Sequence, residues 1–301
     1  MRIKFWGTRG SIPVPGPKTF RYGGNTPCIE VWPDPDTLFI FDAGTGIRAL
    51  GNHLLEKYKK TGKSINGNIF ISHVHWDHIQ GLPFFLPFYT LGNKFIVRGP
   101  TVEILSNALL YQMSDPYFPI TPESFNSGVE YRNISEAKHK ISGISITTHY
   151  LNHVGLRSTF GYRVDVNGKS FVYITDSEPY DVVREIKYHE LADYSDKQLE
   201  SFINKKSEEM VEFCRGADLL VHDTMFTEEE YQECKGWGHS SVEYAIRFSI
   251  KAGVKRLALF HHHHIHDDET MDHIVMKNYP ELENSHLKMF AAADEMELII
   301  D

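Results

Sequence analysis

Cysteine is scarce in this chain of 301 residues, with only Cys28, Cys214 and Cys234. An odd number at unrelated spacings excludes a disulfide framework and a cysteine-rich zinc site, and a reducing cytoplasm is the expected location. An excess of positive charge is missing as well: 31 Lys and Arg stand against 40 Asp and Glu, a formal net charge of −9. That balance is unfavourable for gripping a long polyphosphate backbone and favours a small or locally steered substrate. Long apolar runs are also lacking. The most apolar stretch, Gly81 to Leu91, is broken by Pro83 and Pro87 and is too short to span a bilayer. Met1 to Gly7 goes straight into a strand-like pattern without the features of a secretory leader, so no membrane partner is expected. Histidine is what the chain has in abundance, 17 residues, most of them grouped at the ends of apolar runs.

The length permits one large domain or two small ones, and a single domain over residues 1–301 is the expectation. Short β-type runs cover Ile3 to Trp6, Cys28 to Trp32, Leu38 to Phe41, Asn68 to Ile71 and Phe95 to Arg98, with helical spacing from Ile47 to Tyr58. A second cycle places strands at Ile144 to Thr148, Phe160 to Val166, Ser170 to Ile174, Leu219 to Val221 and Arg256 to Phe260, and a helix from Ser241 to Ala252 that stops at Gly253. Two β-rich halves with helices between them predict an α/β architecture of stacked sheets with helices outside. Pro83 to Ser142 reads as a mobile cover with a helix near Val102 to Gln112, and Asp181 to Arg215 as a charged helical insertion. Both are candidates for lids, for contacts in a homodimer, or for ordinary surface decoration.

The most specific feature is His73-Val74-His75-Trp76-Asp77-His78, directly after the apolar run Asn68 to Ile71. Three imidazoles and a carboxylate where a buried strand opens into a loop supply the nitrogen and oxygen donors that zinc, manganese and iron accept. Further donors stand just past later apolar runs: His153 after Ile144 to Thr148, Asp176 after Val172 to Thr175, and His261 after Leu257 to Phe260. An anionic residue such as Asp176 suits the space between two dications, because it screens their repulsion at the ~3.5–4 Å separation of two-metal sites. The run His261 to His264, with His266 close behind, is internal and continues out of an apolar strand, so it is not an affinity tag.

The hexapeptide together with His153, Asp176 and His261 resembles the metallo-β-lactamase superfamily pattern, and the likeness runs over most of the chain. The resemblance implies a four-layer αββα sandwich holding two divalent ions, with zinc as the default and manganese or iron as alternatives. It assigns His73, His75 and His153 to one ion and Asp77, His78 and His261 to the other, with Asp176 bridging. It also makes Asp42, in Phe41-Asp42-Ala43-Gly44-Thr45-Gly46, a prop for the ligand loop that does not itself bind metal. Of the histidine run, only His261 occupies a matching position.

A second module narrows the chemistry. Leu220-Val221-His222-Asp223-Thr224-Met225-Phe226 and Gly238-His239-Ser240-Ser241 resemble the ribonuclease Z branch and its phosphodiesterase relatives. In that branch a histidine at the place of His239, oriented by a carboxylate at the place of Asp223, protonates the leaving oxygen. Phosphodiester hydrolysis asks for such a pair, because the departing alkoxide leaves poorly without a proton. The chain has Asp223 where ribonuclease Z usually has Glu, so the reach of the pair depends on the fold. The catalytic residues expected are therefore His239 and Asp223, with Asp77 counted both as ligand and as catalytic group. Gly7 to Pro13 and Gly23 to Thr26 resemble the same group more weakly, with Arg9 and Asn25 as candidates for bracing the site or touching substrate.

The expected function is hydrolysis of a phosphodiester in a small or cyclic nucleotide-like substrate, by a hydroxide activated at the ions with His239 as leaving-group acid. Transfer RNA 3′ processing of the ribonuclease Z type is the first alternative. Against it stand the net charge and the absence of a long basic arm, which in that family is inserted between the segments matching His153 and Asp176. A thioester or lactam hydrolase would leave His239 without a task. A non-catalytic metal-binding sensor would keep every ligand and turn nothing over.

Overall fold

The computed structural model describes residues 1–153, 159–186, 191–283 and 285–301. Strand by strand, alternation of side chains decides which layer each residue joins. In β3 (Leu38–Phe41), which follows β1 (Arg2–Gly7) and β2 (Cys28–Trp32), Phe39 and Phe41 face the opposing sheet while Leu38 and Ile40 face helices. The first cycle continues through α1 (Gly46–Thr61), β4 (Asn66–Phe70), the one-turn α2 (Trp76–Ile79), β5 (Lys94–Gly99), α3 (Val102–Gln112) and β6 (Gly128–Asn133). The second comprises β7 (Lys138–Ile141), β8 (Ile144–Leu151), β9 (Thr159–Val166), β10 (Lys169–Ile174), α4 (Asp196–Cys214), β11 (Leu219–Asp223), α5 (Glu228–Cys234), α6 (Val242–Lys251), β12 (Arg256–Phe260), α7 (Asp268–Asn278), β13 (Lys288–Ala291) and β14 (Glu297–Ile299).

Among the described residues the strands form two seven-stranded mixed sheets, β14-β1-β2-β3-β4-β5-β6 and β13-β12-β11-β10-β9-β8-β7. Phe5, Phe41 and Phe70 from the first sheet meet Phe160, Tyr162 and Phe171 from the second in the layer between them. Outside the first sheet, α1 and α3 supply Ile47, Leu50, Leu54, Leu105 and Leu109. Outside the second, α4, α6 and α7 supply Ile203, Met210, Ile246 and Ile274. This is the αββα sandwich that the resemblance implies, and each fully buried aliphatic or aromatic side chain contributes about 1.5–3 kcal/mol of burial to holding the layers together.

Pro83 to Ser142 is less separate than its composition suggests. It carries β5, β6 and β7, and Phe85 and Phe88 are fully buried in the core outside the first sheet. Residues 187–190 of the charged segment lie outside the described residues. The rest of that segment includes α4, which opens with a Ser195–Gln198 capping box and buries Ile203, Met210 and Val211.

Parallel pairing puts the site at one edge. β3 runs parallel to β4, and β10 parallel to β11 and β12, so their carboxyl ends point the same way within each sheet. Asp42, the loop Ser72 to His78, Asp176, Asp223 and His261 all leave those ends, where open α/β sheets place ligands. Asp42, Asp176 and His261 do so with φ of 56°, 43° and 60°. Left-handed conformations in non-glycine residues cost about 1–3 kcal/mol each and persist only where the surroundings enforce them.

Candidate metal centre

The residues singled out in the sequence converge. Ligand atoms of His73, His75, His153 and Asp176 all lie within 4.8 Å of one another, and so do those of Asp77, His78, Asp176 and His261. Asp176 belongs to both groups, and its two oxygens divide between them. Oδ2 lies 3.5 Å from His73 Nε2 and 3.7 Å from His153 Nε2, whereas Oδ1 lies 3.1 Å from His78 Nε2 and 3.2 Å from His261 Nε2. A third group within the same limit joins Asp176, Asp223, His239 and His261.

Three of the imidazoles are oriented from behind. His78 Nδ1 lies 2.8 Å from Asp42 Oδ2, His73 Nδ1 lies 3.1 Å from Ser72 Oγ, and His153 Nδ1 donates to the Gly238 carbonyl at 2.9 Å. Fixing one ring nitrogen aims the other at the cluster, the arrangement metal-ligating histidines adopt. Burial pushes His153 down to about 4 and holds His73 well below its ordinary value, so both rings are neutral and have a lone pair to donate. Nε2 of His73 and Nε2 of His78 are buried and make no directed hydrogen bond. Leaving such atoms in protein is costly unless something accepts the lone pair. The donor set and these orphaned atoms fit a pair of divalent cations.

Asp42 is fully buried and accepts from Ser72 N–H at 2.7 Å, Ser72 Oγ at 2.8 Å and Tyr173 OH at 2.7 Å besides meeting His78. Its acceptor capacity is spent on the loop, and among the described residues it belongs to none of the three His and Asp groups. Asp77 is held in place by Ser11 N–H, which donates to its Oδ2 at 2.9 Å. Burial raises the Asp77 carboxyl, but His78 and His261 outweigh it and keep the group ionised.

Asp223 reaches His239: its Oδ2 lies 2.8 Å from His239 Nδ1. The same carboxylate accepts from Ser177 N–H at 3.1 Å and Met225 N–H at 3.0 Å, so it cannot swing away freely. Burial opposes protonation of His239, yet Asp223, with Asp176 and Asp77, raises it to about 9. The His239 ring stacks on His261 at 5.0 Å between centroids, which places the pair against the cluster.

The remaining histidines of the run part ways. His262 Nε2 donates to the Ala292 carbonyl at 2.8 Å, and His266 Nε2 meets Glu230 Oε1 at 2.8 Å. His263 stacks on His264 and packs near Phe226. None of the four belongs to a His and Asp group among the described residues. Arg9 is fully buried and braces this loop, donating to the carbonyls of His266 at 2.7 Å, His263 at 3.1 Å and Gly23 at 2.9 Å. Asn25 donates to Asp294 at 2.9 Å, beside Arg9. Burial raises the Asp294 carboxyl to about 6, against opposition from its Asn25 and Thr8 hydrogen bonds and from Arg9. Because the folded carboxyl keeps its proton to higher pH than the unfolded one, the native state is favoured at low pH. It loses up to about 3 kcal/mol as pH rises from roughly 4 through 6. Asp294→Asn should therefore gain in melting temperature relative to the parent across that window; parallel curves would contradict this assignment.

Glu178 is a residue that the sequence reading missed. Its buried carboxylate accepts from Gly236 N–H at 2.7 Å, Gly238 N–H at 3.1 Å and Tyr231 OH at 3.0 Å. It thereby fixes the loop that delivers His239 and the Gly238 carbonyl that orients His153. No local motif signals this; only its position two residues after Asp176 could have drawn attention. Glu178→Gln should keep the fold and lower kcat about 10-fold with little change in KM, as loss of an orienting partner does. Unchanged kcat would remove Glu178 from the machinery.

Two stacked mixed sheets carrying overlapping, largely buried His and Asp groups at one edge define a metal-dependent hydrolase of the αββα type. A family model described as a beta-lactamase superfamily domain matches residues 37–194, more than half of the chain, and the chain belongs to that superfamily. It is 27% identical to the ribonuclease Z of Ignicoccus hospitalis over 209 residues, covering 64% of this chain and 69% of that protein. Among solved structures, the Bacillus subtilis metallo-beta-lactamase fold protein YhfI superposes with a TM-score of 0.64 at 16% identity, covering 99% of this chain and 98% of that one. The short form of human tRNase Z gives a TM-score of 0.62 at 18% identity over the whole of both chains. Among the described residues no helix is long and apolar enough to cross a membrane.

Proposed function

We propose that this chain, acting as a single domain, hydrolyses a phosphodiester in a small or cyclic nucleotide-like substrate. The observation that carries the reading is the His239–Asp223 pair, closed at 2.8 Å and stacked against the cluster that Asp176 joins. His73, His75 and His153 would hold one divalent ion and Asp77, His78 and His261 the other, with Asp176 shared. The mixed nitrogen and carboxylate donors favour zinc, and manganese or iron accept similar sets. Bound there, the ions supply Lewis acidity toward the phosphoryl group and a nucleophile at neutral pH. The chain supplies the rest: Asp223 and the Ser177 and Met225 amides fix the tautomer and direction of His239, whose Nε2 delivers a proton to the departing oxygen. Thioester or lactam cleavage gives this pair no comparable work.

Processing of transfer RNA ends is a second reading, favoured by the likeness to proteins named ribonuclease Z. Two observations weigh toward a smaller substrate. β9 and β10 pair in antiparallel register and turn back at Asn167 and Gly168, so among the described residues no basic arm extends there. The net charge of −9 also opposes docking of a long polyanion. The three free thiols suit a reducing cytoplasm. The test is a hydrolysis screen of the metal-loaded protein over bis(p-nitrophenyl) phosphate, cyclic nucleotides and precursor transfer RNA. Turnover of the small diesters at or above that of RNA supports the first reading, and cleavage of RNA far above them establishes the second.

A further inference from the structure

The ligand loop has a second face. His73, His75 and Asp77 contribute to the His and Asp groups, while the intervening Val74 and Trp76 line a cavity of about 850 Å³ between the loop and α3. That volume lies in the ~300–1,000 Å³ range of sites that enclose small organic ligands. Of the ligand set around Asp176, His75 is the exposed member, so the cluster opens to solvent beside Trp76, which is itself 75% exposed. Trp76 thus lines the cavity while its chain neighbours, His75 and Asp77, belong to the His and Asp groups.

The chemistry of the cavity is distinctive. Tyr111, Tyr117 and Phe118 join Trp76 in its wall, and no lining residue carries a charge. Tyr111 and Tyr117 are 70% and 83% exposed, an energetic liability for a surface with no occupant. Besides the tyrosine hydroxyls and the Trp76 indole, the polar side chains present are the carboxamides of Gln80, Asn107 and Gln112, which offer both a donor and an acceptor. An uncharged wall repels no base and attracts no phosphate; aromatic faces with a few amides are how proteins hold flat heterocycles by stacking and edge hydrogen bonds. We infer that this cavity binds the base of a nucleotide-type phosphodiester whose phosphate sits at the Asp176 centre. The inference rests on the phosphodiesterase reading and narrows its substrate to esters with an aromatic heterocyclic arm.

The test uses the metal-loaded full chain and three diesters that share a 4-nitrophenyl leaving group: the methyl, octyl and thymidine 5′-yl esters. The thymidine ester should exceed the methyl ester in kcat/KM by about 10-fold or more, the worth of one base–aromatic stack. Trp76→Ala should bring that ratio close to one, whereas Trp76→Phe should preserve most of it. The readout is a ratio within each variant, so a general loss of folding or metal does not mimic the result. Equal rates on the methyl and thymidine esters, or preference for the octyl ester, would overturn the inference while leaving phosphodiester hydrolysis standing. If none of the three is cleaved, the phosphodiesterase reading fails by itself. Calorimetric binding of thymidine 5′-phosphate against methyl phosphate then decides the cavity's role, with equal affinities counting against it.

Discussion

Replacing His239 by Ala should lower kcat on bis(p-nitrophenyl) phosphate far less than on a diester with a poor leaving group, such as a cyclic nucleotide. General acids contribute about 10²- to 10⁴-fold, and they do so where the departing oxygen needs a proton. A nitrophenolate leaves unaided, whereas an alkoxide does not. The expected outcome is therefore a loss of about 10³-fold on the alkoxide substrate, a much smaller loss on the activated one, and unchanged metal content. Because Asp223 receives two backbone amides besides His239, Asp223→Asn should keep the local structure and reproduce much of the same selective loss. Equal losses on both substrates would remove His239 from the proton-delivery role and return it to the packing around His261.

Asp176→Ala should have the larger and less selective effect. Asp176 is the residue common to both ligand groups, with Oδ2 turned toward His73 and His153 and Oδ1 toward His78 and His261. Removing it would leave two sets of imidazoles, all but His75 buried, to hold neighbouring dications without the anion that screens them. Electrostatic stabilisation by such ions is worth several kcal/mol, so activity on every substrate should drop roughly a thousand-fold or more. The metal content should fall below two ions per chain in the same sample. Full metal occupancy with full activity would show that Asp176 is not the bridge.

Much of this was legible in the sequence, for identifiable reasons. Strands such as Cys28–Trp32, Leu38–Phe41 and Arg256–Phe260 matched their expected bounds, because runs of apolar residues between turn-forming residues leave little choice of period. The convergence of His73 to His78 with His153, Asp176 and His261 was legible because imidazoles and carboxylates are costly to bury unpaired, so a dense group of them just past a strand points to partners elsewhere in the chain. By contrast β6, β7, β13 and β14 were missed: β7, β13 and β14 have only three or four residues and give no periodicity, and β6 is an edge strand with no fully buried residue. Pro83 to Ser142 looked like a cover from its prolines and aromatics, yet Phe85 and Phe88 belong to the core because β5 and β6 extend the first sheet beneath them. Glu178 was invisible for a related reason. A carboxylate that works by holding two glycine amides in a distant loop leaves no local pattern.

Crystals of the zinc-loaded protein, measured by anomalous scattering at the zinc edge, test the central claim most directly. Two peaks are expected on opposite sides of the Asp176 carboxylate, one touching His73, His75 and His153, the other Asp77, His78 and His261. A protein that takes up no metal, or a single peak held by Asp223, His239 and His261, would contradict it.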